Sequence, residues 1–152
     1  MSNTSQRPAF GAAVYYRNPL AALDWLEKAF GFKRQFVVTA PDGKLCHSEM
    51  RFEDGYLMIC GEWPGMPASS PASLGGKTTQ SVHVQLKSGL DAHCERARSA
   101  GAIVVREPED QFYGDRVYVA CGGHVWSFGE TVREVTREEA EKASGLKIEG
   151  WV

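Results

Sequence analysis

Arg116, Tyr118 and Ser127 are three side chains that could share a ligand, provided the chain turns them to one side. An arginine offers a planar fork of N–H donors to a carboxylate, phosphate or phenolate. A tyrosine and a serine beside it add an aromatic wall and a hydroxyl. All three lie in Asp110 to Glu130, DQFYGDRVYVACGGHVWSFGE, where apolar and polar residues alternate on both sides of Gly122-Gly123. Two extended runs around a Gly-Gly loop predict a β-hairpin, because glycine takes the positive φ angles of a tight turn without strain. A two-residue loop pairs Val119 with Trp126, Tyr118 with Ser127, Val117 with Phe128 and Arg116 with Gly129. Paired residues share a face. Val117, Val119, Trp126 and Phe128 then form a core face, and Arg116, Tyr118, Ala120, Val125, Ser127 and Gly129 form a pocket wall. The alternative leaves Arg116 paired with Asp115 or Glu49, closing a strand end.

Side chains able to hold a metal or move a proton are fewer. His83 lies two residues after Ser81 on an alternating run, so both point the same way. His47 and Glu49 share a face of another run, and Glu62 and Glu130 follow similar segments. His83 with Glu130 or Glu62 is one conceivable metal site. His83 as a hydrogen-bonded pocket residue, or as a metal-free general base, is the competing reading. His47 at a strand edge, His93 on a solvent-facing helix side and His124 beside the Gly-Gly turn read as structural.

Composition narrows the classes. Of 152 residues, 43% are hydrophobic and 24% charged, as in an ordinary globular chain. A net charge of −2, from 17 basic and 19 acidic residues without blocks, argues against nucleic acid and against a polybasic membrane contact. The opening MSNTSQRPAF has no apolar leader core, no run reaches membrane-span length, and residues 1–8 read as a frayed polar end. A cytoplasmic protein with Cys46, Cys60, Cys94 and Cys121 as reduced thiols is expected.

The elements that must position these groups follow in order. Ala9 to Tyr16 is a strand; Asn18 and Pro19 open a helix carrying Leu20, Leu23, Leu26 and Phe30 at helical spacing, and Gly31 stops it. Strands follow at Lys33 to Ala40, Leu45 to Phe52 and Tyr56 to Gly61, the last two around an Asp54-Gly55 loop. After a Pro-, Gly- and Ser-rich linker the order repeats: strand Ser81 to Leu86, helix Leu90 to Ala100, strand Ile103 to Arg106, then the hairpin. Val14 and Val84, Leu20 and Leu90, Ala22 and Ala92, and Gly31 and Gly101 are each 70 residues apart. Gly55 and Gly123, Gly61 and Gly129, and Glu62 and Glu130 are each 68 apart. The pattern predicts an α+β fold of tandem β-α-β-β-β modules: module one over about 9–62, a linker at 63–80 and module two over about 81–130. A tail at 131–152 follows, with a short helix opened by a Thr136/Glu139 capping box and ended at Gly145. Trp151 is expected to dock on its own chain or on a partner.

Such a repeat resembles the vicinal oxygen chelate superfamily of glyoxalases, bleomycin-resistance proteins, extradiol dioxygenases and fosfomycin-resistance transferases. RNPLAALDWLEKAFGF, DGKLCHSEMRF, FYGDR and GHVWSF carry the resemblance, which covers nearly the whole chain. One departure is Ala120-Cys121-Gly122-Gly123, which stands where family members often have an Asp-Pro-x-Gly turn. The resemblance implies a curved mixed sheet around a central cleft, a homodimer, and in the metal enzymes His, Gln or Glu ligands at four strand positions. Those positions fall near Gly11, Ile59, Ser81 and Ser127, and none is a ligand. The cleft is then expected to present Tyr15, His83, Gln85, Arg116, Tyr118 and Ser127 to a small, partly aromatic or anionic molecule, without a cofactor. The alternative is a glyoxalase-type lyase, isomerase or dioxygenase with one divalent metal at a displaced site.

Overall fold

A computed structural model describes residues 7–151. The reading of a frayed amino-terminal end lies mostly outside the described residues. The order is β1 (Ala12–Tyr16), α1 (Pro19–Phe30), β2 (Lys33–Thr39), β3 (Leu45–Phe52), β4 (Gly55–Gly61), a 3₁₀ turn (Pro71–Leu74), β5 (Ser81–Leu86), α2 (Leu90–Ser99), β6 (Ile103–Asp110), β7 (Asp115–Gly122), β8 (His124–Thr131) and α3 (Arg137–Ser144). The chain divides into two compact units at Gln80/Ser81. Among the described residues no helix is long and apolar enough to cross a membrane.

The first unit is a four-stranded mixed sheet in the order β1-β4-β3-β2, with β1 parallel to β4 and the other neighbours antiparallel. Helix α1 starts where Asn18 Oδ1 accepts the Ala21 N–H at 3.1 Å and Pro19 supplies a first turn that needs no donor. It ends at Gly31, whose φ of 74° is the left-handed cap glycine takes most easily. Leu23, Leu26 and Phe30 are buried as their spacing predicts, joined by Ala22 and Ala29, while Leu20 faces outward. They pack on Val14, Met50, Leu57 and Ile59, one face of the sheet. Burying each large side chain contributes roughly 1.5–3 kcal/mol. The β3–β4 loop is Glu53-Asp54, one residue earlier than expected: Gly55 already pairs with Phe52, and Glu53 takes the positive φ.

The linker is built rather than slack. Glu62 accepts the Ser70 backbone N–H at 2.6 Å and the Ser73 hydroxyl at 3.0 Å, and Arg17 reaches Ser73 Oγ and the Ala72 carbonyl. The Ser70 N–H, followed by the serine hydroxyls, holds the Glu62 carboxyl below its ordinary range.

The second unit repeats the plan as β5-β8-β7-β6, with β5 parallel to β8. Helix α2 buries Leu90, Cys94 and Ala97 against the sheet, as its spacing predicts. Burial raises the Cys94 thiol's pKa. Gly89 offers no side-chain cap, and Glu130 reaches over from β8 to accept the Leu90 N–H at 2.8 Å. Strand β6 runs to Asp110, longer than expected, and tolerates Pro108 because it is an edge strand with register shifts between Val104 and Glu109.

The hairpin departs from the expected register by one residue. Gly122 pairs with His124, so Gly123, at φ 75°, is the whole turn. Tyr118 consequently pairs with Phe128, Ala120 with Trp126, Val119 with Ser127 and Arg116 with Glu130. Trp126 and Phe128 keep their core face, but β7 is turned over: Tyr118 and Ala120 join the core, and Val117 and Val119 move to the other side.

Candidate functional site

The helix-free face of the second unit carries a continuous row of polar side chains. In the parallel β5/β8 register His83 lies opposite Ser127 and Gln85 opposite Gly129. His83 Nδ1 is 2.7 Å from Ser127 Oγ, and His83 Nε2 is 3.0 Å from Gln85 Oε1. The Gln85 amide donates to Asp115 Oδ2 and Thr131 Oγ1, both at 3.2 Å, and the Thr131 hydroxyl donates to Asp115 Oδ1 at 2.8 Å. The Asp115 carboxylate only accepts, which orients the Gln85 amide with its oxygen toward His83. An amide oxygen also only accepts, so His83 Nε2 carries the proton. In the neutral imidazole Nδ1 is then bare, and the Ser127 hydroxyl donates to it. The oxygen of Ser127 keeps its lone pairs for a ligand's donor.

Gly129 is what allows the row to form. A Cβ there would stand 2.9 Å from Gln85 Oε1 and 3.1 Å from His83 Cε1, so the imidazole and the amide occupy the space a side chain would take. An isolated glycine inside a strand is the usual mark of such a close approach. That signal pointed here, but nothing in the spacing singled out Asp115 or Thr131, whose place depends on the true hairpin register.

Three of the expected pocket residues, His83, Gln85 and Ser127, are thus brought together. Two are not. Tyr118 is fully buried on the helix side, stacked on Phe128 at 5.0 Å, with its hydroxyl 2.6 Å from His93 Nδ1. Burial, then the nearby Cys94, raises its pKa. His93 is correspondingly half-buried against Tyr118 and Phe128 rather than solvent-facing. Arg116 also turns to the helix side, where it pairs with Asp91 and Asp110, each at 2.9 Å, instead of Asp115 or Glu49. Hydrogen bonds to both carboxylates raise its pKa further, and two of its three nitrogens are engaged there.

Tyr15 belongs to the first unit, on β1 opposite Cys60, with Trp63 at 6.3 Å between ring centroids. Burial, with Cys60 second, raises its pKa. On the same helix-free face, the half-exposed Phe36 packs on His47 at 5.5 Å. Glu49, opposite Phe36, is buried with Oε1 held by Arg7 and 3.3 Å from His47 Nε2, while Oε2 has no hydrogen-bond partner among the described residues.

The donor set does not fit the metal that the resemblance implies. The ring of Tyr56 fills the space beside Gly11, and Ile59 is buried on the helix side, with Met58 its neighbour on the open side. Ser81 and Ser127 offer hydroxyls, and both nitrogens of His83 are already bonded. Glu130 lies on the opposite face from His83, occupied by the Leu90 N–H, and Glu62 is occupied by Ser70 and Ser73. Nor are Glu62 and Glu130 equivalent: Val14 pairs with Ile59 and Val84 with Phe128, which matches Glu130 to Gly61. Among the described residues no group of three or more His, Cys, Asp or Glu could hold an ion.

Comparison with known proteins agrees with this architecture. The sequence pattern of the Glyoxalase/Bleomycin resistance protein/Dioxygenase superfamily matches residues 11–138. An uncharacterized protein of Mycobacterium bovis is 36% identical over 148 residues, 94% of this chain and 96% of its own. The crystal structure of TioX from Micromonospora sp. ML1 is 28% identical, with a TM-score of 0.66 over 82% of this chain and 98% of that one. TnmS3, an antibiotic binding protein from Streptomyces sp. CB03234, shares the fold at 17% identity, with a TM-score of 0.60 over 84% of this chain and 98% of that one. With this match to the family pattern, two β-α-β-β-β units and a polar row on the helix-free face, the chain belongs to the glyoxalase/bleomycin resistance protein/dioxygenase superfamily.

Proposed function

We propose that the protein binds a small, partly aromatic or anionic molecule on the helix-free face of a sheet, without the family's metal, and does so as a homodimer. The observation that carries this reading is the Ser127–His83–Gln85 row, which spends a family ligand position on hydrogen bonding and leaves hydroxyl, imidazole and amide edges accessible. The first unit carries aromatic surface of its own on its helix-free face, from Tyr15, with Trp63 beside it, and Phe36. Each neutral hydrogen bond contributes about 0.5–1.5 kcal/mol, so loss of one or two weakens binding about tenfold. The dimer reading draws on the β6 edge, which leaves Ile103 68% and Val105 53% exposed.

A thermal-shift screen over antibiotics, hydroxy acids, glutathione adducts and catechols tests it, run with and without divalent metals. The expected hit raises the melting temperature equally in both conditions and loses most of its effect in His83→Ala. A shift seen only with a metal would overturn the reading. Sedimentation equilibrium addresses the assembly: the native chain should be a dimer and Ile103→Lys a monomer, and a monomeric native chain would refute it.

A further inference from the structure

The carboxy-terminal tail builds a groove that neither the repeat nor the family positions account for. Its backbone is fastened to the β6–β7 turn by Val132 N–H and Arg133 N–H, which both donate to the Gly114 carbonyl, at 3.0 and 3.2 Å. Gly114, at φ 103°, has no side chain because the Arg133 carbonyl and Val135 occupy that space. Beyond it, Thr136 and Glu139 close a reciprocal capping box on α3. Trp151 returns to donate its indole N–H to the Val135 carbonyl at 3.2 Å. The result is an open groove of about 1180 Å³, lined among others by Tyr113 and Trp151, which are 42% and 41% exposed. Gln85, Asp115 and Thr131, the inner end of the polar row, line it too.

Charge decides what such a groove accepts. Its lining holds four acidic side chains against two basic ones. Arg137 is paired with Glu138; Arg133, bonded to the neutral Gln111 carbonyl, keeps its charge, so the lining is left with an excess of two negative charges. No lysine or arginine among the described residues pairs with Asp115 or Glu134. The fork that would favour an anion, Arg116, lies on the helix side, paired there with Asp91 and Asp110. Aromatic faces in a lining with an excess of carboxylates attract a flat cation, through ring electrostatics and charge together. The volume suits a molecule of several rings.

We infer that the tail groove is a binding site for a planar aromatic cation, held between Tyr113 and Trp151 with its basic nitrogen toward Asp115 and its far end on the polar row. The inference rests on the reading of the helix-free face as a ligand surface, and it narrows the ligand from aromatic or anionic to aromatic and basic.

Fluorescence titration with proflavine, a flat cation, and 8-anilinonaphthalene-1-sulfonate, an aromatic anion, tests the site. Proflavine should bind one per chain and at least tenfold more tightly than the sulfonate. Trp151→Ala should weaken proflavine about tenfold, Trp151→Phe should restore most of the affinity, and Asp115→Asn should also weaken it. Equal binding of both dyes, or proflavine affinity unchanged in Trp151→Ala and Tyr113→Ala, would overturn the inference. Screening hits that depend on His83 but not on Trp151 would overturn it while leaving the wider proposal standing. A native chain that binds no proflavine also overturns it.

Discussion

At the scale of single residues, Gly129 and Tyr118 separate the surface proposed to bind from the core that supports it. Gly129→Ala should leave the fold intact, because the atoms it meets are the ends of two side chains that can swing aside. The cost should stay under about 1 kcal/mol, below the usual range for overpacking a rigid core. The displaced His83 and Gln85 should weaken a screening hit about tenfold, measured by calorimetry beside an unchanged melting temperature. Tyr118→Phe should do the reverse: it loses the bond to His93, costs about 1–2 kcal/mol, and leaves binding untouched. Its pH dependence has a definite sign. The folded Tyr118 has a pKa above its ordinary value of 10.0, so the native state holds this proton more tightly than the unfolded chain does. Its contribution is complete below pH 10.0 and is lost as the pH rises beyond it. Denaturant unfolding from pH 8 to about 11 should show a steeper alkaline loss in the native chain than in Tyr118→Phe.

Among the elements, α3 is the piece most dependent on local chemistry, because it buries only Ala140. Thr136→Ala removes half of its capping box and should cost about 0.5–2 kcal/mol of local stability. Hydrogen exchange should quicken over 137–144 while β5–β8 stay protected, and uniform protection would show that the cap is dispensable. The capping box, the Asn18–Pro19 helix start and the Gly31 and Gly145 stops were all legible in the residues, because caps are local chemistry. Strand register was less legible. Gly122-Gly123 looks like a two-residue loop, yet Gly123 alone turns the chain, and that one-residue difference moved Tyr118 and Arg116 from a pocket wall to the helix side. The β3–β4 turn also moves, to Glu53-Asp54, without turning a strand over. The pairing matches Ile59 to Phe128 and Gly61 to Glu130, where the sequence matches Ile59 to Ser127 and Glu62 to Glu130. His83, Gln85 and Ser127 survived because β5 and β8 pair in parallel, independently of either loop. Asp115 and Thr131 are not legible in the sequence, since their meeting depends on a register that Gly122-Gly123 does not reveal.

For the whole molecule, two copies of one plan carry different surfaces: aromatic rings and a buried carboxylate on the first, a hydrogen-bonded row and a tail groove on the second. In a family known for metal enzymes, one position where a ligand would stand, Ser127, is here hydrogen-bonded to His83. Metal content is therefore the most direct test, measured by plasma mass spectrometry on protein purified without chelators, beside the isotherm of a screening hit with and without EDTA. The account predicts well under one ion per chain and superimposable isotherms. One ion per chain, released by His83→Ala and required for the hit to bind, would contradict it.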